Sequence, residues 1–177
     1  GATQEITVEA NSGSVKYNGG EQSVSGLKAT TFQVGDLTYT VEGLTASASG
    51  TDAGEYTANV TGTPVVKDAD GNDVTSEFKV NTVDGKLAIG KRNVTLTSAG
   101  GTKVYDGTPL TNDEVTVGGD GFVDGEGATY EVTGSRTVVG SDKNTFTYAL
   151  NEGTDANNYA ITTSEGTLTV TSRGATQ

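Results

Sequence analysis

The chain has 177 residues, of which only 32% are hydrophobic, and a formal net charge of −12 at neutral pH. Both halves are acidic, which argues against nucleic acid as a partner and against insertion into an anionic membrane. The chain lacks Cys, His, Met and Trp. Thiolate chemistry, Cys/His zinc sites and histidine-based triads are therefore excluded.

Short runs in which apolar and polar residues alternate predict half-buried, antiparallel β-strands along the whole chain. In chain order they centre on residues 6–9, 38–43, 56–60, 78–80, 87–89, 94–97, 115–117, 129–134, 146–150, 159–161 and 168–170. Asp84-Gly85 and Glu165-Gly166 are predicted to form hairpin turns before the last strand of each half. No stretch has helical periodicity, and the abundant Thr and Gly are poor helix formers.

The second half repeats the first. EITVEANSGSVKYNG (5–19) matches NVTLTSAGGTKVYDG (93–107), and FKVNTVDGKLAIGKR (78–92) matches YAITTSEGTLTVTSR (159–173). We therefore predict two homologous modules, 5–92 and 93–173. The offset between matched positions falls from 90 at Tyr56 and Phe146 to 81 at Phe78 and Tyr159, which predicts an insertion near 61–77 in module 1.

The ends of the chain carry the same tetrapeptide, Gly-Ala-Thr-Gln, at 1–4 and 174–177. Such a match is typical of one period of a tandem array, so both ends are expected to be junctions between repeats. The sequence contains no signal peptide and no apolar run long enough to span a membrane, which favours an internal piece of a longer protein. The absence of Cys favours a Gram-positive bacterial surface over a disulfide-stapled secreted domain.

The expected fold is all-β, with two tandem, elongated, antiparallel β-sandwich modules of immunoglobulin-like type. A single curled sheet of β-grasp type is the alternative, and it requires a covering helix for which no pattern exists. No flexible linker separates the modules, so they are expected to form a stiff rod. The length of this rod would be roughly 70–80 Å, since each of the two modules is about 10–12 strand residues long at about 3.3 Å per residue.

Each module contains a Tyr, then Asn or Asp, then Gly, after its first strand: Tyr17-Asn18-Gly19 and Tyr105-Asp106-Gly107. Asn-Gly and Asp-Gly favour tight turns because these residues tolerate positive φ. The Tyr can bury its ring while its hydroxyl finds a partner. Asp in one copy is Asn in the other, which favours a structural corner with a buried ring over a metal or catalytic site.

Two acidic, Gly-rich loops are candidate sites. Asp68, Asp70 and Asp73 offer oxygen ligands for calcium, but their spacing does not match an EF-hand loop, so a solvated turn is the alternative. The loop from Asp120 to Glu126 is richer in acids than its counterpart in module 1, and it is either a specialised binding loop or a simple turn.

The aromatic and lysine residues suggest two further possibilities. Most aromatics occupy matched positions in both modules, and the unmatched Tyr148 alternates with Phe146 and Leu150, so all are expected inside, leaving little surface for stacking sugars. A self-formed isopeptide bond would join a Lys near a first strand to an Asn near a last strand, and surface lysines are the alternative. The candidates are Lys16, Lys103, Asn81, Asn157 and Asn158.

Module 2 resembles a known family in three segments: KVYDGTPL, GDGFVDGEGATYEVTGSRTVVGSDKNTFTYALN and NNYAITTSEGTLTVT. They resemble the YDG/MBG-type tandem repeats of Gram-positive bacterial surface adhesins. VKYNGGEQSV, GTDAGEYTANV and DVTSEFKVNTVDGKLAI in module 1 are similar but more divergent. The resemblance implies an extracellular, cell-wall-anchored protein whose repeats stack between a binding region and the wall, and it implies no catalytic residues.

These observations favour a structural stalk or spacer that projects an adhesive tip from the cell wall. The expected partners are neighbouring repeats of the same chain, and the protein is expected to be a monomer without a cofactor. The alternative is a module that itself binds host glycan, mucin or matrix protein. An enzyme is not expected, since no motif singles out a catalytic pair.

Overall fold

A computed structural model describes residues 3–174, and these residues are all-β. Besides sixteen strands they contain two single-turn 3₁₀ helices, at Thr75–Glu77 and Ala156–Asn158, and no α-helix. The covering helix that a β-grasp fold requires is therefore absent from residues 3–174. The chain divides into two compact units, unit 1 ending at Gly90 and unit 2 beginning at Lys91. The junction tetrapeptides predicted at the two ends lie largely outside the described residues.

Unit 1 contains eight strands, two of which are long. They are β1 (Gln4–Glu9), β2 (Gly13–Lys16), β3 (Gln22–Ser25), β4 (Thr31–Val34), β5 (Leu37–Gly50), β6 (Gly54–Lys67), β7 (Phe78–Val83) and β8 (Gly85–Gly90). Strands β5 and β6 form a hairpin, and β8, β6, β5 and β3 are neighbours in one sheet.

Unit 2 follows a related plan with shorter strands. They are β9 (Arg92–Ser98), β10 (Gly101–Val104), β11 (Val115–Gly119), β12 (Ala128–Val132), β13 (Gly140–Lys143), β14 (Phe146–Leu150), β15 (Tyr159–Ser164) and β16 (Thr167–Thr171). Its sheets have the orders β11-β9-β15, β10-β16-β13 and β12-β14. Every run predicted from alternation overlaps a strand, although β12 ends at Val132, before the end of the run 129–134, and the all-β class is confirmed.

The prediction of purely antiparallel sheets is wrong at the ends of each unit. Strand β1 pairs with β7 and β2 with β8, both in parallel. In unit 2, β9 pairs with β15 and β10 with β16, again in parallel. Alternation reports which face of a strand is buried but not the direction of its neighbour, so it could not reveal this mixture.

Asp84-Gly85 and Glu165-Gly166 are not hairpin turns, because the strands that they join do not pair with each other. Each lies at a corner where the chain leaves the second-to-last strand of its unit and enters the last strand, which belongs to a different sheet. This corner lies against a second corner, the one between the first two strands of the same unit. A Cβ on Gly166 would lie 2.6 Å from the Ser98 carbonyl oxygen and 2.5 Å from the Ala99 carbonyl carbon. A Cβ on Gly85 would overlap the Asn11 carbonyl oxygen. These glycines permit two backbones to touch.

A small cluster of buried apolar side chains forms the core of each unit. In unit 1 the buried members are Ile6, Val8, Val41, Val66 and Phe78, and the Tyr39 ring meets Phe78 edge to face at a centroid distance of 4.7 Å. In unit 2 the buried apolar residues are Val94, Leu96, Tyr159, Leu168 and Val170. Most of them belong to the terminal strands, so the core lies directly beneath the parallel pairs.

The units differ in the length of one hairpin. Val41 pairs with Val66 in the β5–β6 hairpin, and Val132, which follows the same Thr-Tyr motif, pairs with Phe146. The first pair is 25 positions apart in the chain and the second 14. By these register pairs, the extra residues of unit 1 lie between Val41 and Val66, a span that overlaps only the first part of the insertion predicted near 61–77. The segment 61–77 itself contains the end of β6, a turn and a 3₁₀ helix.

Candidate functional site

The two Tyr-containing turns have the same backbone structure. Gly19 and Gly107 adopt φ of 84° and 81°, a region that favours glycine. The Asn18 Oδ1 accepts a hydrogen bond from the Gly20 N–H, and the Asp106 Oδ1 accepts one from the Thr108 N–H, both at 2.9 Å. Because an amide oxygen and a carboxylate oxygen serve equally here, Asn and Asp can exchange.

The Tyr rings in these turns differ. Tyr17 is 5% exposed, as expected for a buried corner, but Tyr105 is 39% exposed, so the expectation of a buried ring is wrong for the second copy. In both copies the backbone N–H is committed, since Tyr17 donates to the Gly90 carbonyl and Tyr105 to the Thr171 carbonyl, each at 2.8 Å. Adjacent residues dictate the turn, whereas burial of the ring depends on what covers it.

The second turn also contains a small ionic network. The Lys103 Nζ lies 2.8 Å from the Asp106 Oδ1 and donates to the Thr108 Oγ1 at 2.7 Å, while that hydroxyl donates to the same carboxylate. Hydrogen bonds from Lys103 and Thr108 hold the pKa of Asp106 far below its usual range. This arrangement stiffens the turn and occupies Lys103, which was a candidate for an isopeptide bond to Asn157 or Asn158.

The acidic loop after β6 uses its carboxylates to bond its own backbone. The Asp68 Oδ1 accepts from the N–H groups of Asp70 and Asn72, at 3.0 and 2.9 Å, and the Asp73 Oδ1 accepts from the N–H and hydroxyl of Thr75. These bonds lower the pKa of Asp68 and of Asp73. Gly71, at φ 85°, provides the bend.

Nothing in this loop gathers ligands around a metal. Within residues 3–174, no group of three or more Asp, Glu, His or Cys side chains is placed to hold a metal ion. The hydrogen bonds of Asp68 and Asp73 account for a turn. Calcium binding by Asp68, Asp70 and Asp73 therefore stays a prediction from the sequence.

The loop from Asp120 to Glu126 is fastened to the beginning of unit 2. The Arg92 guanidinium donates to the carbonyls of Asp120 and Gly121, at 2.6 and 2.9 Å, and the Asp120 carboxylate accepts from the Asn93 N–H at 2.8 Å. The Tyr159 hydroxyl donates to the Glu126 Oε1 at 2.7 Å and accepts from the Val123 N–H at 3.1 Å. Both end carboxylates of this loop therefore serve internal bonds.

Tyr159 contacts this loop through both its hydroxyl and its ring. Its ring is 3% exposed and meets Phe122 edge to face at 5.0 Å. Burial, together with the bond to Glu126, raises the pKa of Tyr159 to about 12. The corresponding position in unit 1 is Phe78, which has no hydroxyl. This pairing of a buried phenol with a loop carboxylate was not anticipated from the sequence, although the Phe-to-Tyr difference between matched positions was visible.

Unit 2 also contains a buried polar cluster that sequence analysis missed. The Asn144 side chain is fully buried, and its Nδ2 donates to the carbonyls of Ala99 and Asn112, at 2.8 and 2.9 Å. The Ser98 hydroxyl donates to the Asn144 carbonyl at 2.6 Å. In unit 1 buried alanines stand there: Ala10 matches Ser98, and Ala58 is the register partner of Gly85, as the Asn144 N–H donates to the Gly166 carbonyl in unit 2. Asn144 thus holds together three segments that lack such a connection in unit 1.

An open aromatic ribbon is the best candidate for contact with a ligand. Among the described residues, strands β12 and β14 pair only with each other, and Tyr130 lies directly opposite Tyr148, so both rings are on the same face. Tyr148 is 38% exposed, and the expectation that it lies inside is wrong. The two tyrosines and their neighbours Thr129, Glu131 and Thr147 line an open groove of about 310 Å³.

No helix within residues 3–174 combines the length and the apolar character needed to cross a membrane. Comparison with protein-family models, with curated proteins and with solved structures finds no match to this chain.

Proposed function

We propose that the chain is a structural stalk segment of a bacterial cell-surface adhesin, extracellular and wall-anchored, in which consecutive β modules hold a binding tip away from the cell. The observation that supports the proposal most directly is the duplication. Both units have the same terminal strands, the same parallel pairing and the same turn after the second strand. Repetition of one module is an economical way to gain length.

The acidic loops support a structural role. The carboxylates of Asp68, Asp73, Asp120 and Glu126 accept hydrogen bonds from within their own unit. The proposal assigns them to shaping loops and assigns no residue to catalysis. The partners it implies are neighbouring modules of the same chain.

A copy-number series tests the stalk. One, two and three tandem copies of the 177-residue chain are measured by small-angle X-ray scattering, with a matched series that carries a Gly-Ser linker between Gly90 and Lys91. A stiff stalk lengthens in proportion to copy number, whereas a flexible chain of modules lengthens with roughly its square root. Square-root growth in the unmodified series, or a compact particle in which modules fold back, would refute the proposal.

A second function, binding of a neutral saccharide, is favoured by the open ribbon. Sugar rings stack on exposed aromatic faces, and Tyr148 with Tyr130 provides such a face on one side of the ribbon. Glu131 and the net charge of −12 disfavour anionic glycans. A glycan array probed with the wild type, with Tyr148→Ala and with the matched control Tyr105→Ala tests this. Binding lost only in Tyr148→Ala supports the site, and no binding by the wild type excludes it.

A further inference from the structure

In both units the two ends of the chain lie side by side and run in the same direction. Gln4 at the start of β1 is the register partner of Phe78, and the pairing continues for six residues. Strand β2 then pairs with β8 over four residues. Unit 2 repeats this arrangement with six pairs between β9 and β15 and four between β10 and β16. We call each set of four strands the terminal clamp of its unit.

Hydrogen bonds continue the clamp through the corner between the sheets. In unit 1 the Ala10 N–H donates to the Val83 carbonyl at 2.9 Å, and the Lys86 N–H donates to the Ser12 hydroxyl at 3.0 Å. In unit 2 the Gly166 N–H donates to the Ser98 carbonyl at 3.0 Å. In each unit the corner between the first two strands touches the corner between the last two strands. No open loop therefore separates the first parallel pair, β1–β7 or β9–β15, from the second, β2–β8 or β10–β16.

The clamp ends at the Tyr-containing turn. The bonds from Tyr17 to Gly90 and from Tyr105 to Thr171 join the last residue of the final strand to the residue immediately before the turn. The turn therefore lies where the chain leaves its module. Its Asx geometry, and the Lys103–Asp106 pair in unit 2, stiffen this exit point.

The direction of the clamp determines how it would respond to tension. A force through the ends pulls the start of the first strand one way and the end of the last strand the other way. Because the strands are parallel, the pull runs along them and loads all their hydrogen bonds together. The buried side chains beneath, among them Val8, Leu87, Leu96 and Leu168, keep water from these bonds. If the same strands were pulled apart from one end, the bonds would break one at a time.

We propose that the terminal clamp makes each unit a load-bearing element that resists tension applied through its two ends. The use of this resistance in the cell rests on the proposed stalk function, but the resistance itself is a property of the isolated chain. Forced unfolding is governed by the unfolding rate. The clamp therefore acts on the kinetic barrier, and the unfolding force can be higher than the equilibrium stability of the unit alone would suggest.

Single-molecule pulling in two directions tests the clamp. The chain has no Cys, so introduced pairs are unique attachment points. In the full chain, Lys91→Cys with Arg173→Cys loads unit 2 from end to end, whereas Lys91→Cys with Asn157→Cys pulls β9 and β15 apart from the end that they share. All three positions are exposed. Unravelling releases about 300 Å of chain in the first case and about 240 Å in the second, at up to 3.6 Å per residue, which identifies the event.

The end-to-end variant is expected to unfold at a force several times higher than the shared-end variant at the same pulling rate. Thermal unfolding of the two variants should coincide, which shows that only direction differs. In unit 1, Thr3→Cys with Lys91→Cys against Thr3→Cys with Glu77→Cys repeats the comparison. Equal forces in the two directions, or a lower force from end to end, overturn the clamp. That outcome leaves the scattering test untouched, so failure of the clamp and failure of the stalk are distinguishable.

Discussion

Substitution of Gly166 by Ala tests the crossing of the two corners in unit 2. Gly166 does not have a positive φ, so alanine causes no backbone strain by itself. The added Cβ would lie 2.6 Å from the Ser98 carbonyl oxygen, and ordinary contact begins near 3.4 Å, so one corner must move by about 0.8 Å. The atoms in the way belong to backbone and cannot rotate aside.

The expected cost combines overpacking and lost hydrogen bonds. Overpacking in a close-packed interior costs about 1–3 kcal/mol. Displacement of the corner also weakens the bond from the Gly166 N–H to the Ser98 carbonyl, which contributes about 1 kcal/mol. Gly166→Ala should therefore lower the free energy of unfolding of unit 2 by about 2–4 kcal/mol. For a unit of this size that corresponds to a fall in Tm of roughly 10–30 °C.

Differential scanning calorimetry and urea unfolding of the full chain measure this loss. Gly118→Ala is the matched control, because this strand glycine has no positive φ and its Cβ would meet nothing closer than 3.8 Å. Gly85→Ala repeats the test in unit 1. If Gly166→Ala stays within about 0.5 kcal/mol of Gly118→Ala, the size of an ordinary surface effect, the corners do not touch and the reasoning is refuted.

Three further predictions concern side chains. Since the folded pKa of Tyr159 is raised to about 12 from a reference value near 10, its contribution is complete below pH 10 and is lost as the pH rises toward 12. Tyr159→Phe should remove that alkaline loss in urea titrations, and an unchanged pH profile would contradict it. Asn144→Ala should cost about 2–4 kcal/mol, because two partly buried carbonyls lose their donor and the buried side chain is removed. Asn144→Asp should recover stability as the pH falls and the acid regains a proton to donate, whereas a pH-independent loss would argue against this network. Tyr17→Ala should cost about 3–5 kcal/mol and Tyr105→Ala clearly less, since only the first ring is buried. Equal losses in urea unfolding would show that exposure does not separate the two turns.

Sequence patterns located the strands because alternation follows directly from the two faces of a β-strand. The runs around Val94, Tyr130 and Leu168 all lie in strands. The short strands β2, β3, β4, β10 and β13 escaped prediction; in all but β4, Gly, Ser or Lys residues blur the alternation. The Asx turns at Asn18 and Asp106 were also predictable, because the residues that form them are adjacent in the chain.

The candidate sites were less predictable because exposure depends on distant neighbours. Tyr148 alternates in step with Phe146 and Leu150, which predicts a buried ring, but no other strand within residues 3–174 pairs with its two-stranded ribbon. Asn144 carries no local signal of burial, and its partners at Ala99 and Asn112 are more than thirty positions away. Such contacts follow from tertiary packing alone.

By itself the sequence determined the all-β class, the internal duplication and the two tight turns, since each depends on residue type and short-range spacing. Only the tertiary structure decided that the first and last strands of each unit pair in parallel, and that Gly85 and Gly166 lie at corners rather than in hairpins. The physical reason is that strand direction and partner are fixed by contacts between residues about seventy positions apart, which leave no periodic trace in the chain. The inferred resistance to tension depends on that pairing.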